Sequence, residues 1–412
     1  MGTTVYILGG AQTDFARNCA REGLEIDGLM RDALQAGLAA TGLDVREIET
    51  AHIGNLTAEL FCRQGQLGGL FSALDPALSG VPSARHEAAC ASGSMAALAA
   101  MADLESGRYG LACVLGVEFM RNVPGRQAAE FLGAAAWAGH EWQDATFLWP
   151  RAFSDLAEYY GARYGEVSYA HLGEIARNNF ANARRNPNAQ TRAWQFGDGS
   201  FAEDDEANPV IEGTVRKNDL GQITDGAAVV FLASEARAAA YAKAHGLALD
   251  ALPRIEGWGH RTATMRLTDK ISESRDSPYL LKHVHGAIRD AFDRARIADV
   301  HALDAIELHD CTAMTEYLAI DHFGITPPGQ SFRAVEDGTI ALGGKLPINP
   351  SGGLIGLGHP VGATGVRMLL DAYKQVSGQA GDYQVEDARR VGVLNIGGST
   401  TTIATFVVGR AD

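Results

Sequence analysis

No apolar run in these 412 residues reaches the length of a membrane span, and no long basic tract is present. The formal net charge is −15. A chain without clustered cations has no broad basic face to neutralise phosphates, which argues against a general nucleic-acid binder. An anionic small substrate held by a local patch remains open. Cysteines are few and odd in number: Cys19, Cys62, Cys90, Cys113 and Cys311, with no CxxC pair. Neither a disulfide framework nor a zinc site follows from that spacing. The opening MGTTVYILGGAQTDF has no signal or transit character, and the closing GRAD is neither a peroxisomal nor a retention signal. A cytoplasmic protein with no membrane partner is expected.

What the chain does have is glycine, 48 residues of it, in a composition that is 46% hydrophobic and 21% charged. Its length exceeds one ordinary core, so two domains or one duplicated architecture are expected. Strand-like runs (VYILGG, TAHIGNL, YGLACVLGVEFM) alternate with helical ones, which indicates an α/β protein with largely buried strands. The character changes near Met120. Trp137, Trp142, Trp149 and Trp194, four of the five tryptophans, fall before about Gln222 among loop-like stretches such as GDGSFAEDDEANP. An ordered insertion of that size usually covers or shapes a site. The rhythm resumes at DGAAVVFLAS, and a second half begins near Leu252-Pro253. CASGSMAALAAMADLESG leading to LACVLGVE is echoed by VGATGVRMLLDAYKQVSG leading to VGVLNIGG, which suggests a duplicated unit.

Four stretches can carry chemistry. In HEAACASGSMAALAAM, Cys90 precedes suitable helix-opening residues; a thiol at the positive end of a helix has its thiolate favoured. A cysteine that merely fills a small hole fits the same residues. NPSGGLIGLGHPVGATG is a tight glycine loop around His359, either a shaped site or a structural turn, and it does not fit GxGxxG. In IELHDCTAMTEY, His309, Asp310 and Cys311 close an apolar strand, where polar groups can line a crevice. Strand alternation lets His309 and Cys311 share a face while Asp310 points away, so the three do not form one metal site. VLNIGGSTTT ends a strand at Gly397-Gly398, able to present an unobstructed N–H as an oxyanion donor. Arg177, Arg184 and Arg185 either meet a phosphate or form one solvated helix face.

Taken together, CASG with its Ala-rich helix, HDC, GHPVGATG and the closing NIGG resemble the thiolase superfamily, and HDC resembles its sterol-carrier-protein-2 type and bacterial relatives. The resemblance implies a five-layer αβαβα fold built from two βαβαβαββ halves, 1–251 and 252–412, with a loop domain at about 121–222. It implies that Cys90 becomes acylated, that His359 takes up its proton, and that His309 and His359 form an oxyanion hole for the enolate. Cys311 matches the second cysteine, which moves the α-proton, and the N–H groups of Cys90 and Gly397 match the hole for tetrahedral intermediates. Two departures stand out. Thr312 replaces the phenylalanine of HDCF, which bears on the acyl pocket. Asn395 stands where ordinary thiolases carry a CxG cysteine, and the GLGG of close relatives is missing, so the acid/base role falls on Cys311.

The implied activity is cleavage of 3-oxoacyl-CoA by coenzyme A, or condensation of two acyl-CoAs, with ping-pong kinetics. No cofactor or metal is expected, since coenzyme A enters as substrate. A homodimer or homotetramer is expected. Two other readings are a decarboxylating ketoacyl synthase and a thiolase-like or aldolase subunit working with a small acyl-CoA-binding partner protein.

Overall fold

The computed structural model describes residues 4–410; the first three residues and the last two, with the end of the GRAD terminus, lie outside the described residues. The first half runs β1 (Val5–Gln12), α1 (Ile26–Thr41), β2 (Thr50–Gly54), β3 (Ser83–His86), α2 (Ser92–Glu105) and β4 (Leu111–Glu118). An excursion then carries α3 (Gly125–Gly133), α4 (Leu148–Tyr164) and α5 (Tyr169–Ala183) before the chain returns as β5 (Gly226–Ser234). The second half repeats the plan with β6 (Arg254–Thr262), α6 (Lys282–Ala295), β7 (Ala305–Leu308), α7 (Ala313–His322), α8 (Val361–Ser377), β8 (Arg390–Gly397) and β9 (Thr402–Gly409).

The strands follow the order β3-β2-β4-β5-β1-β6-β9-β8-β7. Reading outward from the β1–β6 seam, each half has the same succession, except that the second reduces its counterpart of β3 to the bridge Ile306–Ile348. The seam itself is short, pairing Val5 with Ile255 and Tyr6 with Arg254. Along β5, Ala227 and Val229 pack into the cluster with α1, while Ala228 and Val230 pack into a cluster with α2 and α8. Strands covered on both faces read as continuous apolar runs. That central cluster also receives Val391, Val393, Phe406 and Val408 from β8 and β9, whose other faces, through Leu394, Ile403 and Val407, pack with α6 and α7. The layers are therefore α1, the first sheet half, α2 with α8, the second sheet half, and α6 with α7, as the five-layer expectation holds.

The sequence echo is the central pair of helices. The start of α2 is buried and made of small residues, Ser92, Gly93 and Ser94, followed by buried Ala96, Ala97 and Ala100. Backbones meet directly here: a methyl group at Gly93 would stand 2.8 Å from the Gly362 carbonyl, and one at Gly362 would stand 2.5 Å from the Val117 carbonyl. Buried Glu118, at the end of β4, accepts the N–H groups of Leu56 and Gly362 at 3.0 and 2.9 Å and so anchors the start of α8. Both helix N-termini, following Cys90 and His359, are brought to one end of the sheet.

Candidate active site

Cys90 sits on a turn bent before the helix begins. Ala89 has φ +53°, a left-handed conformation uncommon for a residue with a Cβ. Ser92 holds this turn, donating from Oγ to the Ala89 carbonyl at 2.6 Å and accepting the Ala88 N–H at 2.9 Å. The N–H of Gly398 and that of Cys90 itself point at the sulfur, yet burial dominates and pushes the thiol up to about 12. The sequence pattern singled out Gly397. Gly397 ends β8 opposite Thr402 with its Cα against the Ala88 carbonyl, and the N–H of the next residue, Gly398, favours the Cys90 thiolate. The Gly398 loop is fastened by Lys270, whose buried Nζ lies within 2.7–2.9 Å of Met265 O, Ser399 O, Ser399 Oγ and Thr401 Oγ1. Desolvation pulls Lys270 down to about 7.

His309 follows β7 and faces His359 edge to face, ring centroids 5.3 Å apart. Cys90 Sγ and one ring nitrogen from each histidine lie within 4.8 Å of one another. Three such donors can hold a soft divalent ion, and the same three suit a nucleophile, its base and a hydrogen-bond donor. His359 Nδ1 lies 2.7 Å from Thr364 Oγ1, whose hydroxyl donates to the Pro360 carbonyl at 3.1 Å. The Thr364 oxygen therefore accepts from Nδ1–H, and Nε2 of His359 is left with a lone pair. Burial, then the Arg367 charge, pulls His359 down to about 3; burial, then His359 and Arg367, pulls His309 well below the ordinary histidine value. Both rings rest neutral.

Cys311 lines the same cavity, and burial, then Cys90, raises its thiol well above the ordinary value. Asp310 turns the other way. Its carboxylate accepts the Leu354 and Ile355 N–H groups at 2.6 and 3.1 Å and Asn179 Nδ2 at 3.0 Å, tying the end of β7 to the glycine loop. A methyl group at Gly353 would stand 2.3 Å from that carboxylate, which accounts for a glycine at this bend. The loop is further held from the excursion: Asn182 and Asn186 donate to the Asn349 and Ser351 carbonyls at 3.1 and 3.0 Å. Sequence reasoning looked at the arginines of RNNFANARRNP and missed its asparagines. Asn179 and Asn182 share one face of α5, and Asn186 stands in the turn that follows the helix. Arg177 instead pairs with Glu174 at 3.1 Å on the surface, Arg184 reaches the Trp194 carbonyl, and neither they nor Arg185 line the cavity.

The cavity holds about 430 Å³ and is lined by Cys90, Cys311 and His359 among others. Leu132, Leu148, Trp149 and Phe153 from the excursion supply much of its apolar wall, and exposed Arg126 and Lys217 also border it. Thr312 lines it while capping α7, its Oγ1 accepting the Thr315 N–H at 3.3 Å.

Residues 5–194 match the family described as thiolase, N-terminal domain, and residues 264–410 match thiolase C-terminal domain-like. An acetyl-CoA acetyltransferase of Methanothermobacter thermautotrophicus is 31% identical over 98% of this chain and 99% of its own length. Sterol carrier protein 2 of Homo sapiens is 26% identical over 98% of this chain and 72% of its own. Among solved structures, the "Ltp2-ChsH2(DUF35) aldolase" superposes with a TM-score of 0.76 at 18% identity, covering 99% of this chain and 98% of that one. The acetyl-CoA acetyltransferase of Syntrophomonas wolfei gives 0.71 at 17% identity with both chains fully covered.

Proposed function

Because the chain belongs to the thiolase family, we propose that the cavity carries out acyl transfer between thioesters, cleaving a 3-oxoacyl-CoA with coenzyme A or condensing two acyl-CoAs. The observation that carries this reading is a convergence from three separate segments: the Cys90 sulfur and one ring nitrogen each of His309 and His359 lie within 4.8 Å of one another, and Cys90, His359 and Cys311 line one apolar cavity. Cys90 attacks the thioester carbonyl and gives its proton to Nε2 of His359, and the departing coenzyme A thiolate takes the proton of the Cys311 thiol, which is left as a thiolate. A thiolate is both good nucleophile and good leaving group, which this exchange requires. The N–H groups of Gly398 and Cys90 face the oxygen of the tetrahedral intermediate. In the second half-reaction Cys311 removes the α-proton of the incoming acyl-CoA. His309, with the newly protonated His359, faces the enolate oxygen, the carbon–carbon bond forms, and Cys90 is expelled. Arg126 and Lys217 are placed to meet coenzyme A phosphates at the rim. The test is turnover: 3-oxoacyl-CoA plus coenzyme A must yield two acyl-CoAs. Release of carbon dioxide from a malonyl thioester would instead support a decarboxylating synthase.

The apolar wall and the small Thr312 favour acyl groups larger than acetyl. Thr312→Phe is expected to lower kcat/KM for branched or long 3-oxoacyl-CoAs at least tenfold relative to acetoacetyl-CoA, since a phenyl ring would fill that wall (about 10–200-fold per lost methylene-scale fit). Equal losses across the panel would show that Thr312 acts through its helix cap alone.

We also propose a cytoplasmic homo-oligomer; among the described residues no helix is long and apolar enough to cross a membrane. One structural neighbour is titled as a complex with a DUF35 protein, which supports asking whether a small acyl-CoA-binding partner attaches here too. Copurification from the native host answers that: a stoichiometric second chain supports it, and full activity of the isolated chain removes the need for it.

A further inference from the structure

Asn395 lies outside every role assigned above, yet it touches two of the groups that carry them. In the parallel pairing of β7 with β8, Leu308 stands opposite Leu394, so the next residues, His309 and Asn395, are neighbours. Asn395 is fully buried. Its Nδ2 lies 3.1 Å from the Cys90 carbonyl oxygen and 3.0 Å from His309 Nδ1, and its Oδ1 lies 2.8 Å from Ser94 Oγ. A backbone carbonyl can only accept, so the amide nitrogen must be the group on that side. The same nitrogen faces His309 Nδ1, which must therefore accept and carry no proton. In a neutral imidazole the proton then resides on Nε2. Space for this arrangement depends on a glycine of α8: a methyl group at Gly365 would stand 2.4 Å from Ser94 Oγ and 2.6 Å from Asn395 Oδ1.

We propose that Asn395 is a positioning residue that locks His309 in the Nε2–H tautomer, making it a permanent hydrogen-bond donor toward the reacting acyl group. This rests on the thiolase reading for the reaction served, though not for the tautomer. His359 has the opposite arrangement, with Nδ1–H on Thr364 and a lone pair on Nε2. One histidine is thus a fixed donor and the other a base that becomes a donor once Cys90 has given up its proton. An asparagine has two distinct ends, and only one orientation satisfies Ser94, Cys90 and His309 together.

The experiment is long-range ¹⁵N–¹H correlation spectroscopy of protein labelled at histidine nitrogens, with His309 assigned by its loss in His309→Asn. The wild-type ring is expected to show a protonated Nε2 and an unprotonated Nδ1; the reverse overturns the proposal without any variant at 395. Asn395→Asp, of the same shape but accepting rather than donating, is expected to move the proton to Nδ1. Its Cys90 acylation should fall less than tenfold, while condensation or thiolysis falls about 10²–10³-fold, the usual cost of one oxyanion donor. An unchanged tautomer, or equal losses in both half-reactions, overturns the proposal. If the tautomer switches in a protein that never turns over 3-oxoacyl-CoA, the thiolase reading fails and the role of Asn395 in setting the tautomer stands. Should Asn395→Asp not fold, the wild-type spectrum decides.

Discussion

Cys90→Ala is expected to abolish both the covalent adduct formed with acetyl-CoA and all turnover, by at least about a thousandfold, since removing a nucleophile from a concerted set forfeits nearly all their joint effect. Intact-protein mass spectrometry reads the first result directly. An adduct that survives the substitution, or none in the wild type, sinks the assignment. The resting protein adds a second expectation. Burial pushes the Cys90 thiol up and His359 down, so the pair rests as neutral thiol and neutral imidazole. The Gly398 N–H opposes that shift without overcoming it. Proton transfer then accompanies attack on a bound thioester. Between about pH 6 and 8, acylation by saturating acyl-CoA should show no inflection from either group, whose values lie above and below that window. An inflection near the ordinary histidine value of about 6.5 would place a solvated, titrating imidazole at the sulfur.

Cys311→Ala is expected to leave Cys90 acylation within a few-fold of wild type while stopping condensation and thiolysis by at least about 10²-fold, the usual contribution of a positioned acid or base. The acyl-enzyme should accumulate to one equivalent and persist. The reason lies in the environment: Cys311 is desolvated beside Cys90, which raises its thiol and makes its thiolate a stronger base. A weakly acidic α-proton needs such a base. Among the described residues no thiol other than Cys90 lines this cavity beside it. Full turnover in Cys311→Ala would remove it from the mechanism.

Much of the fold was legible because its strands are buried on both faces and its central helices open on small residues. LACVLGVE and GAAVVFLAS read as buried strands and are β4 and β5. The echo between CASG and GATG was legible for a related reason: two helices that meet backbone to backbone, Gly93 on Gly362, must both begin with glycine. Cys90, His309, Cys311 and His359 stood out because reactive residue types beside glycine loops and at strand ends are rare in a core. Missed were the groups that hold them. Lys270, Glu118 and the asparagines of α5 are common residue types with no local pattern that announces a long-range bond.

By itself the sequence determined which side chains can react and that the chain is a doubled α/β protein, since residue type and period are local properties. Only the tertiary structure decided which atom of each residue faces the reaction. The Gly398 N–H favours the Cys90 thiolate, and Nε2 rather than Nδ1 of each histidine is left free. Those choices follow from strand register and from contacts between residues hundreds of positions apart, such as Asn395 with Cys90 and Ser94, and a hydrogen bond depends on position in space rather than position in the chain.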